Sequence, residues 1–269
     1  MRRLILKFSA LFMVVVVATS FAQSPPSNDP AQYYERGMNA LRGAGVSHNT
    51  QDALQLLRTS AEMGYLPAQT VVGYFYDTGT IVASEPGMAA EWYRKAVAQD
   101  DPLAEWMLGR LYLTGGLQRD LNQAALVLQK SAQQQNPFAE YLLGEIRLEQ
   151  QNYSDAAKSF RDAAQQGIPH AQQELGVLLE KGQGVPQDKF EAYVWLLVSL
   201  DAGNNAAATD LSLLEGDLGS TQVEKAKSQA RDLESTVSRS VVAHGCTGWS
   251  GEFDVIPSPP PPDLQRFCR

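Results

Sequence analysis

Histidine and cysteine are the residues of this sequence best suited to catalysis or metal binding, and both are scarce. The three histidines, His48, His170 and His244, lie on different segments. The two cysteines, Cys246 and Cys268, both lie near the C-terminus. His244 and Cys246 could share a zinc ion, but the flanking sequence supplies too few further ligands for a closed tetrahedral site. We therefore expect no metal and no cofactor.

The sequence lacks the short motifs that position nucleophiles, metals or phosphates in common enzyme classes. It contains no S-x-x-K, G-x-S-x-G or H-E-x-x-H pattern and no glycine-rich phosphate-binding loop. Its 30 acidic residues include no pair that the spacing marks as a catalytic acid and base. The sequence favours a non-enzymatic protein, and a hydrolase of cell-wall or β-lactam substrates is the alternative.

The N-terminus predicts export. Basic residues precede an uncharged apolar run over 8–18, and the small residues Ser20 and Ala22 then suit a signal peptidase. We expect a signal peptide over 1–22, a disordered linker over 23–30 and a mature protein that is periplasmic or secreted. A membrane anchor is the alternative, but a lysine leaves the run short of the roughly 20 apolar residues that span a bilayer.

The overall charge argues against one class of partner. The chain carries 22 basic and 30 acidic residues, a formal net charge of −8. An acidic surface repels nucleic-acid phosphates. We expect no nucleic-acid partner, and no integral membrane segment after cleavage of the leader.

A motif of the form A-x-x-x-(L/V)-G recurs along the chain. Its clear copies begin at Ala68, Ala104, Ala139 and Ala171, a weaker copy ends at Gly37, and a degenerate copy begins at Ala207. Such regular self-similarity is the signature of a repeat architecture.

A second set of alanines opens apolar, helix-favouring stretches between these copies: Ala53, Ala89, Ala124, Ala156 and Ala192. Each lies 20 residues before the next glycine position, as from Ala53 to Gly73. The distance from a glycine to the following alanine instead varies from 12 to 16 residues. This pattern predicts two helices per repeat, with a variable loop inside each repeat and a fixed junction between repeats. Small residues at the motif positions would let the helices approach closely.

Three longer patterns resemble the Sel-like repeat, a relative of the tetratricopeptide repeat. They are A-x-x-x-L-G-x-x-Y at 104–112, G-x-G-V-x-x-D at 182–188 and A-x-x-W-(Y/L)-x-K-A at 89–96. The resemblance implies an all-α, right-handed α-α superhelix of about five to six helix-turn-helix repeats over 31–240. The fourth repeat departs from the pattern, because 149–154 lacks the G-x-G-V loop.

The resemblance also implies a function and a site. Family members act mostly as adaptors or regulators that bind proteins, and the first helix of each repeat lines a concave groove. In tetratricopeptide-type arrays the residues three before and one after the motif glycine face that groove. Here those residues are Tyr34, Met38, Thr70, Tyr74, Trp106, Arg110, Tyr141, Glu145, Gln173 and Val177.

Three interpretations of this row stay open. It is rich in the residue types that dominate binding energy at interfaces, so it could hold an extended peptide or a helix of a protein partner. The aromatic residues could instead pack between neighbouring repeats as core. The same groove could also bind glycan or cell wall as an envelope scaffold.

The C-terminal region changes character twice. Thr221 and Glu224 suggest a capping box before an amphipathic helix that would cap the last repeat. We expect 241–269 to form a tail in which Cys246 and Cys268 form a disulfide, as isolated pairs in exported proteins do. A proline-rich run over 257–262 makes this tail either a surface strap or a docking ligand.

Overall fold

The computed structural model describes residues 28–42, 50–114 and 116–237. The predicted signal peptide, most of the linker, and the tail with His244 and both cysteines lie outside these residues. Within them the chain is helical and contains no strand. The helices are α1 (Pro30–Arg42), α2 (Thr50–Glu62), α3 (Leu66–Thr78), α4 (Pro86–Val97), α5 (Pro102–Thr114), α6 (Leu121–Gln133), α7 (Pro137–Glu149), α8 (Tyr153–Gln165), α9 (Pro169–Lys181), α10 (Lys189–Asp201) and α11 (Ala207–Thr236).

The helices alternate between two layers. Each packs mainly against the helix before it and the helix after it, and α5 also contacts α7. The odd-numbered helices carry the A-x-x-x-(L/V)-G motif and lie side by side. We call them the inner helices and the even-numbered ones the outer helices. The predicted all-α solenoid of helix pairs is confirmed.

The motif glycines lie where the two helices of a repeat approach most closely. A Cβ atom added at Gly73 would lie 2.7 Å from Tyr93 Cε1, and one added at Gly176 would lie 2.8 Å from Leu196 Cγ. In all five repeats the facing side chain is large and stands four residues after the alanine of the outer helix: Leu57, Tyr93, Leu128, Phe160 and Leu196. Each contact joins the two helices of one repeat across the loop of variable length, so small residues at the motif positions do let these helices approach closely, as predicted.

Buried serines add a second connection within alternate repeats. The hydroxyls of Ser60, Ser131 and Ser199 on outer helices donate to the carbonyls of Pro30, Pro102 and Pro169 at the start of the inner helices. The three oxygen–oxygen distances are 2.6, 2.7 and 2.7 Å. Each serine is fully buried, so its hydroxyl requires such an acceptor.

Local residues mark the ends of the helices. Asn136 caps α7 by accepting from the backbone N–H groups of Phe138 and Ala139, and Pro137 occupies the first turn. Gly79 ends α3 and Gly182 ends α9, both in the left-handed conformation that glycine adopts readily.

A break in α11 separates the last inner helix from a capping helix. Gly219 has φ 73° and ψ 160°, outside the helical region. Beyond it Val223, Ala226 and Ala230 are buried, which confirms the predicted cap over the last repeat. The predicted capping box is wrong, because α11 is already helical at Thr221 and the Glu224 carboxylate accepts from Lys227.

Gly73→Ala is expected to lower the free energy of unfolding by about 1–3 kcal/mol, because the new methyl group overlaps the ring of Tyr93. Gly216→Ala is the matched control, since nothing lies within 4 Å of a Cβ atom there. It should raise stability by up to about 1 kcal/mol through helix propensity. Urea unfolding followed by circular dichroism measures the stability of the two variants. Equal unfolding midpoints for Gly73→Ala and the parent would contradict the close contact between Gly73 and Tyr93.

Candidate functional site

The predicted groove residues lie along five consecutive inner helices, α1 to α9, but they differ in exposure. Tyr34, Glu145, Gln173 and Val177 are partly exposed. The others are buried, with 2–5% of their surface exposed: Met38, Thr70, Tyr74, Trp106, Arg110 and Tyr141. The row is continuous along the inner layer, and its accessible part lies mainly in the C-terminal repeats.

A buried ion pair joins the second and third repeats. Arg110 Nη2 on α5 donates to Asp77 Oδ2 at the end of α3, and both side chains are 6% exposed. Tyr93 on α4 donates its hydroxyl to the same carboxylate oxygen at 3.2 Å. Burial, and then the negative charge of Asp77, raise the pKa of Tyr93 well above its usual value, so the hydroxyl keeps its proton. Three helices thus meet at one carboxylate.

This arrangement gives Arg110 a structural role. The resemblance placed its guanidinium in the groove as a partner contact, whereas here it neutralises a buried carboxylate of the preceding repeat. Removing one member of a buried pair leaves an uncompensated charge, which is strongly unfavourable. The pair was missed at the sequence level because Asp77 and Arg110 lie on different repeats and no motif links them.

The buried aromatic residues of the row pack against rings of adjacent helices. Trp106 and Phe138 have ring centroids 5.1 Å apart, and these residues lie on neighbouring inner helices. The Tyr141 ring lies 5.9 Å from that of Phe160 on α8. These contacts favour the core interpretation for Trp106 and Tyr141, and partner contact by either residue stays a prediction.

An acidic region lies at the C-terminal end of the inner face. Burial raises the pKa of Glu174, and the like charges of Glu145 and Asp210 raise it further against the opposing effect of Lys181. Glu145 accepts from the Tyr141 hydroxyl at 2.7 Å, and Asp210 accepts from the side-chain amide of Gln173 at 3.0 Å.

Glu174 and Asp210 were not among the predicted groove residues. Both stand two positions before the glycine position of their repeat, one residue after the row taken from tetratricopeptide arrays. In the second to fourth repeats that position holds the apolar residues Val71, Met107 and Leu142, so the change to an acidic residue is the sequence signal that could have found them.

Two further properties hold for residues 28–42, 50–114 and 116–237. In those ranges no cluster of histidine, cysteine and carboxylate side chains is arranged to bind a metal ion. Over the same residues no helix has the length and apolar character needed to cross a bilayer.

Stacked helix pairs with a continuous inner face define a helical-repeat protein, and comparison with known proteins identifies the repeat. The Sel1 repeat family model matches 33–65, 66–101, 102–136 and 169–204, about half of the chain. The chain belongs to the Sel1 repeat family. Such proteins mediate protein–protein interactions and are typically non-catalytic.

Known relatives and structures agree with this assignment. Chitin synthase regulatory factor 3 of Schizosaccharomyces pombe is 33% identical over 160 residues, which are 59% of this chain and 14% of that protein. Crystallised c5321, a protective antigen of uropathogenic Escherichia coli strains with an SLR fold, gives a TM-score of 0.71 at 26% identity. The alignment covers 79% of this chain and 47% of that one. A Sel1 repeat protein from Oxalobacter formigenes gives 0.63 at 28% identity, covering 77% and 85%.

The family match leaves out the fourth repeat, in agreement with the missing loop motif. In the structure α7 and α8 nevertheless form a helix pair like the others, with Gly144 facing Phe160. The shorter connection is closed by Asn152, which caps α8 by accepting from the backbone of Asp155.

Asp77→Asn is expected to lower the free energy of unfolding by about 3–5 kcal/mol, because it removes the carboxylate charge that pairs with the buried Arg110 guanidinium. Tyr93→Phe removes only one hydrogen bond and should lower it by about 1 kcal/mol. Denaturant titration of both variants measures whether Asp77→Asn loses more free energy of unfolding than Tyr93→Phe. Similar losses of stability in the two variants would show that the ion pair does not hold these repeats together.

Glu174→Gln is expected to stabilise the protein near neutral pH. Because the folded-state pKa of Glu174 is raised, ionisation disfavours the folded state as pH rises through the unfolded value. The gain should therefore vanish below the unfolded pKa, where the carboxyl is protonated in both states.

Glu149→Gln is the control for this pH dependence, since hydrogen bonding to Arg119 lowers the pKa of the Glu149 carboxyl. That substitution should lose stability at neutral pH instead. Melting temperatures of the two variants and the parent are measured between pH 4 and pH 7, about the range of carboxyl titration. A rise in melting temperature for Glu174→Gln that is constant over pH would contradict the raised pKa of Glu174.

Proposed function

We propose that this protein is an exported adaptor or regulator of the bacterial envelope that binds a protein partner along its inner face. Membership of the Sel1 repeat family supports binding of proteins. Export is supported by the leader-like sequence over 1–22. The regulatory role draws on the printed name of the chitin synthase regulatory factor, of which this chain spans only 14%.

The observation that carries the proposal is the alignment of equivalent positions from successive repeats on one face. Inner helices lie side by side, so one extended segment can contact several repeats at once. The contacts inside the array, above all the Asp77–Arg110 pair, fix the repeats relative to each other. A preformed surface binds at lower entropic cost than one that must be ordered on binding.

The acidic region indicates the charge of the partner. Glu145 and Asp210 lie close enough for their negative charges to act on Glu174, and Glu145 and Glu174 are partly exposed. A lysine or arginine of the partner would relieve this repulsion. The partner segment is therefore an extended stretch with basic residues.

Site-specific photo-crosslinking in cells tests the proposal. A photoreactive residue at Gln173 or Val177 is accessible and leaves the Asp77–Arg110 pair intact. The matched control is Gln129, which is exposed on outer helix α6. We expect one protein to be captured from the inner positions only. Equal capture from both faces, or capture of polysaccharide alone, would overturn the proposal.

Charge reversal provides the quantitative prediction. Glu174→Lys should reduce capture of the partner roughly tenfold, which corresponds to about 1.4 kcal/mol of binding free energy. Glu91→Lys, on the exposed side of α4, makes the same charge change away from the inner face and should leave capture unchanged. Equal losses for the two variants would indicate a nonspecific effect of net charge.

Export has its own test. N-terminal sequencing of the protein recovered from the periplasmic fraction is expected to begin at Gln23. A chain that retains Met1 and fractionates with the cytoplasm would refute this part of the proposal.

A further inference from the structure

Four inner helices carry glutamine or glutamate at one equivalent position, directly after the motif alanine. From the second repeat to the fifth these residues are Gln69, Glu105, Glu140 and Gln172. The position lies in the first turn of the inner helix, next to the connection from the preceding repeat. Gln69, Glu105 and Gln172 have only 1–5% of their surface exposed, so their polar atoms require partners within the protein.

Both glutamines join two repeats by donating a hydrogen bond. The side-chain amide of Gln69 donates to the carbonyl oxygen of Ala61 on α2 at 3.1 Å, and that of Gln172 donates to Ala164 on α8 at 3.2 Å. In both junctions the acceptor stands eight residues before the glutamine. The side-chain oxygen of Gln69 also accepts from the amide of Gln99 at 2.8 Å, so both polar atoms of this side chain have partners.

Glu105 occupies the same position with one hydrogen bond fewer. Its Oε2 accepts from the side-chain amide of Gln134 at 3.1 Å, as the oxygen of Gln69 does from Gln99. Its Oε1 therefore corresponds to the donating nitrogen of the glutamine. Among the described residues this buried oxygen has no hydrogen-bond partner. An ionised carboxylate has no hydrogen to donate, so it cannot repeat the glutamine contact.

The acceptor of that contact is present in the third repeat as well. Eight residues before Glu105 lies Val97, the last residue of α4. Its carbonyl oxygen accepts from the backbone N–H of Asp100 at 3.1 Å, and the carbonyl of Ala61 accepts from Gly64 in the same way at 3.0 Å. Asp100 and Gly64 both have positive φ, 59° and 90°. The two connections thus turn alike, and the Val97 carbonyl corresponds to the acceptor of the preceding junction.

The glutamate of the fourth repeat is in a less demanding environment. Glu140 is partly exposed, so solvent can hydrate its carboxylate. Its Oε2 also accepts from the hydroxyl of Ser159 on α8 at 3.3 Å. Glu105, with 1% of its surface exposed, is therefore the residue at which a proton matters most.

We propose that Glu105 is a protonation-dependent clasp between the second and third repeats. With a proton taken from water onto Oε1, the Glu105 carboxyl donates to the Val97 carbonyl and reproduces the glutamine contact of the neighbouring junction. When the proton returns to water, the carboxylate and the carbonyl oxygen repel each other and the junction loosens. The inference goes beyond the proposed partner binding and does not depend on it.

Burial and neighbouring charges decide how firmly Glu105 holds the proton. Burial is the largest cause of its raised pKa, and the charges of Asp100 and Asp101 in the α4–α5 connection raise it further. Lys130 on α6, whose Nζ lies 4.0 Å from Glu105 Oε1, and the hydrogen bond from Gln134 lower it. The ammonium of Lys130 is half exposed and lies equally close to Asp100, so solvent screens its effect. The folded junction therefore holds the proton more firmly than the unfolded chain does.

The place of Glu105 in the array makes the clasp a conformational device. The Asp77–Arg110 pair joins the same two repeats nearer the C-terminal ends of α3 and α5, whereas Glu105 lies in the first turn of α5. The repeats are thus joined by an ion pair and by a second contact that requires a proton. A fall in pH adds the second contact and tightens the connection between α4 and α5.

Amide hydrogen exchange of the purified protein tests the proposal. Glu105→Gln supplies a permanent donor, so peptides spanning 98–104 should exchange several-fold more slowly than in the parent at pH 7. At about pH 4, where the Glu105 carboxyl of the parent holds its proton, variant and parent should exchange at the same rate. Comparing variant with parent at each pH removes the intrinsic pH dependence of exchange.

The reciprocal substitution and a matched control complete the experiment. Gln69→Glu places a carboxyl at the α2–α3 junction, so peptides spanning 62–68 should exchange faster than in the parent at pH 7 but not at about pH 4. Glu91→Gln removes the same charge as Glu105→Gln from the exposed side of α4. It should leave exchange over 98–104 unchanged.

Several results would overturn the proposal. A slowing by Glu105→Gln that is equal at both pH values, or no slowing at all, would show that this carboxyl does not control the junction. Faster exchange in that variant at pH 7 would show that the contact with Lys130 outweighs the missing donor. Exchange in Gln69→Glu that differs from the parent equally at both pH values would also contradict it. Partner capture from Gln173 in cells is a separate measurement, so either proposal can fail alone.

Discussion

The close approach of the two helices in each repeat depends on one steric condition. A glycine on the inner helix leaves room for a leucine, tyrosine or phenylalanine from the outer helix. Any side chain at the glycine would overlap the facing residue, as at Gly73 and Tyr93. Because this contact recurs in five repeats, it sets the separation of the layers. The fixed geometry of the junctions then carries that separation along the array, as nearest-neighbour packing does in solenoids.

On this apolar framework, polar contacts connect particular repeats. The Asp77–Arg110 pair and the Tyr93 hydroxyl join repeats two and three. The Gln173–Asp210 hydrogen bond joins the fifth repeat to α11. A buried ion pair adds little stability relative to a well-packed apolar alternative, yet it strongly disfavours arrangements in which its members separate. These contacts thus restrict the relative orientation of repeats, which keeps the inner face in one shape.

The inner face has two regions with different properties. Its second and third repeats present buried aromatic residues, and its C-terminal repeats present partly exposed carboxylates with the raised pKa of Glu174. The first region contributes to the core, and the second is the part in which the proposed basic partner segment would find carboxylates. The repeat fold supports many partners, so it is this distribution of side chains that determines the ligand.

The sequence by itself determined the helix pairs, their limits and their close contacts, because these follow from local signals and a periodic spacing. The spacing from Ala53 to Gly73 describes one junction between repeats. Asn136 and Pro137 mark the start of one helix. Only the tertiary structure decided that Asp77 pairs with Arg110 and that the Ser60 hydroxyl donates a hydrogen bond to the Pro30 carbonyl. It also decided that the charge of Asp210 acts on Glu174. These contacts join residues about 30 or more positions apart whose types are common on any helix. Burial and distance, which exist only in the folded array, decide whether such residues serve the core or the binding face.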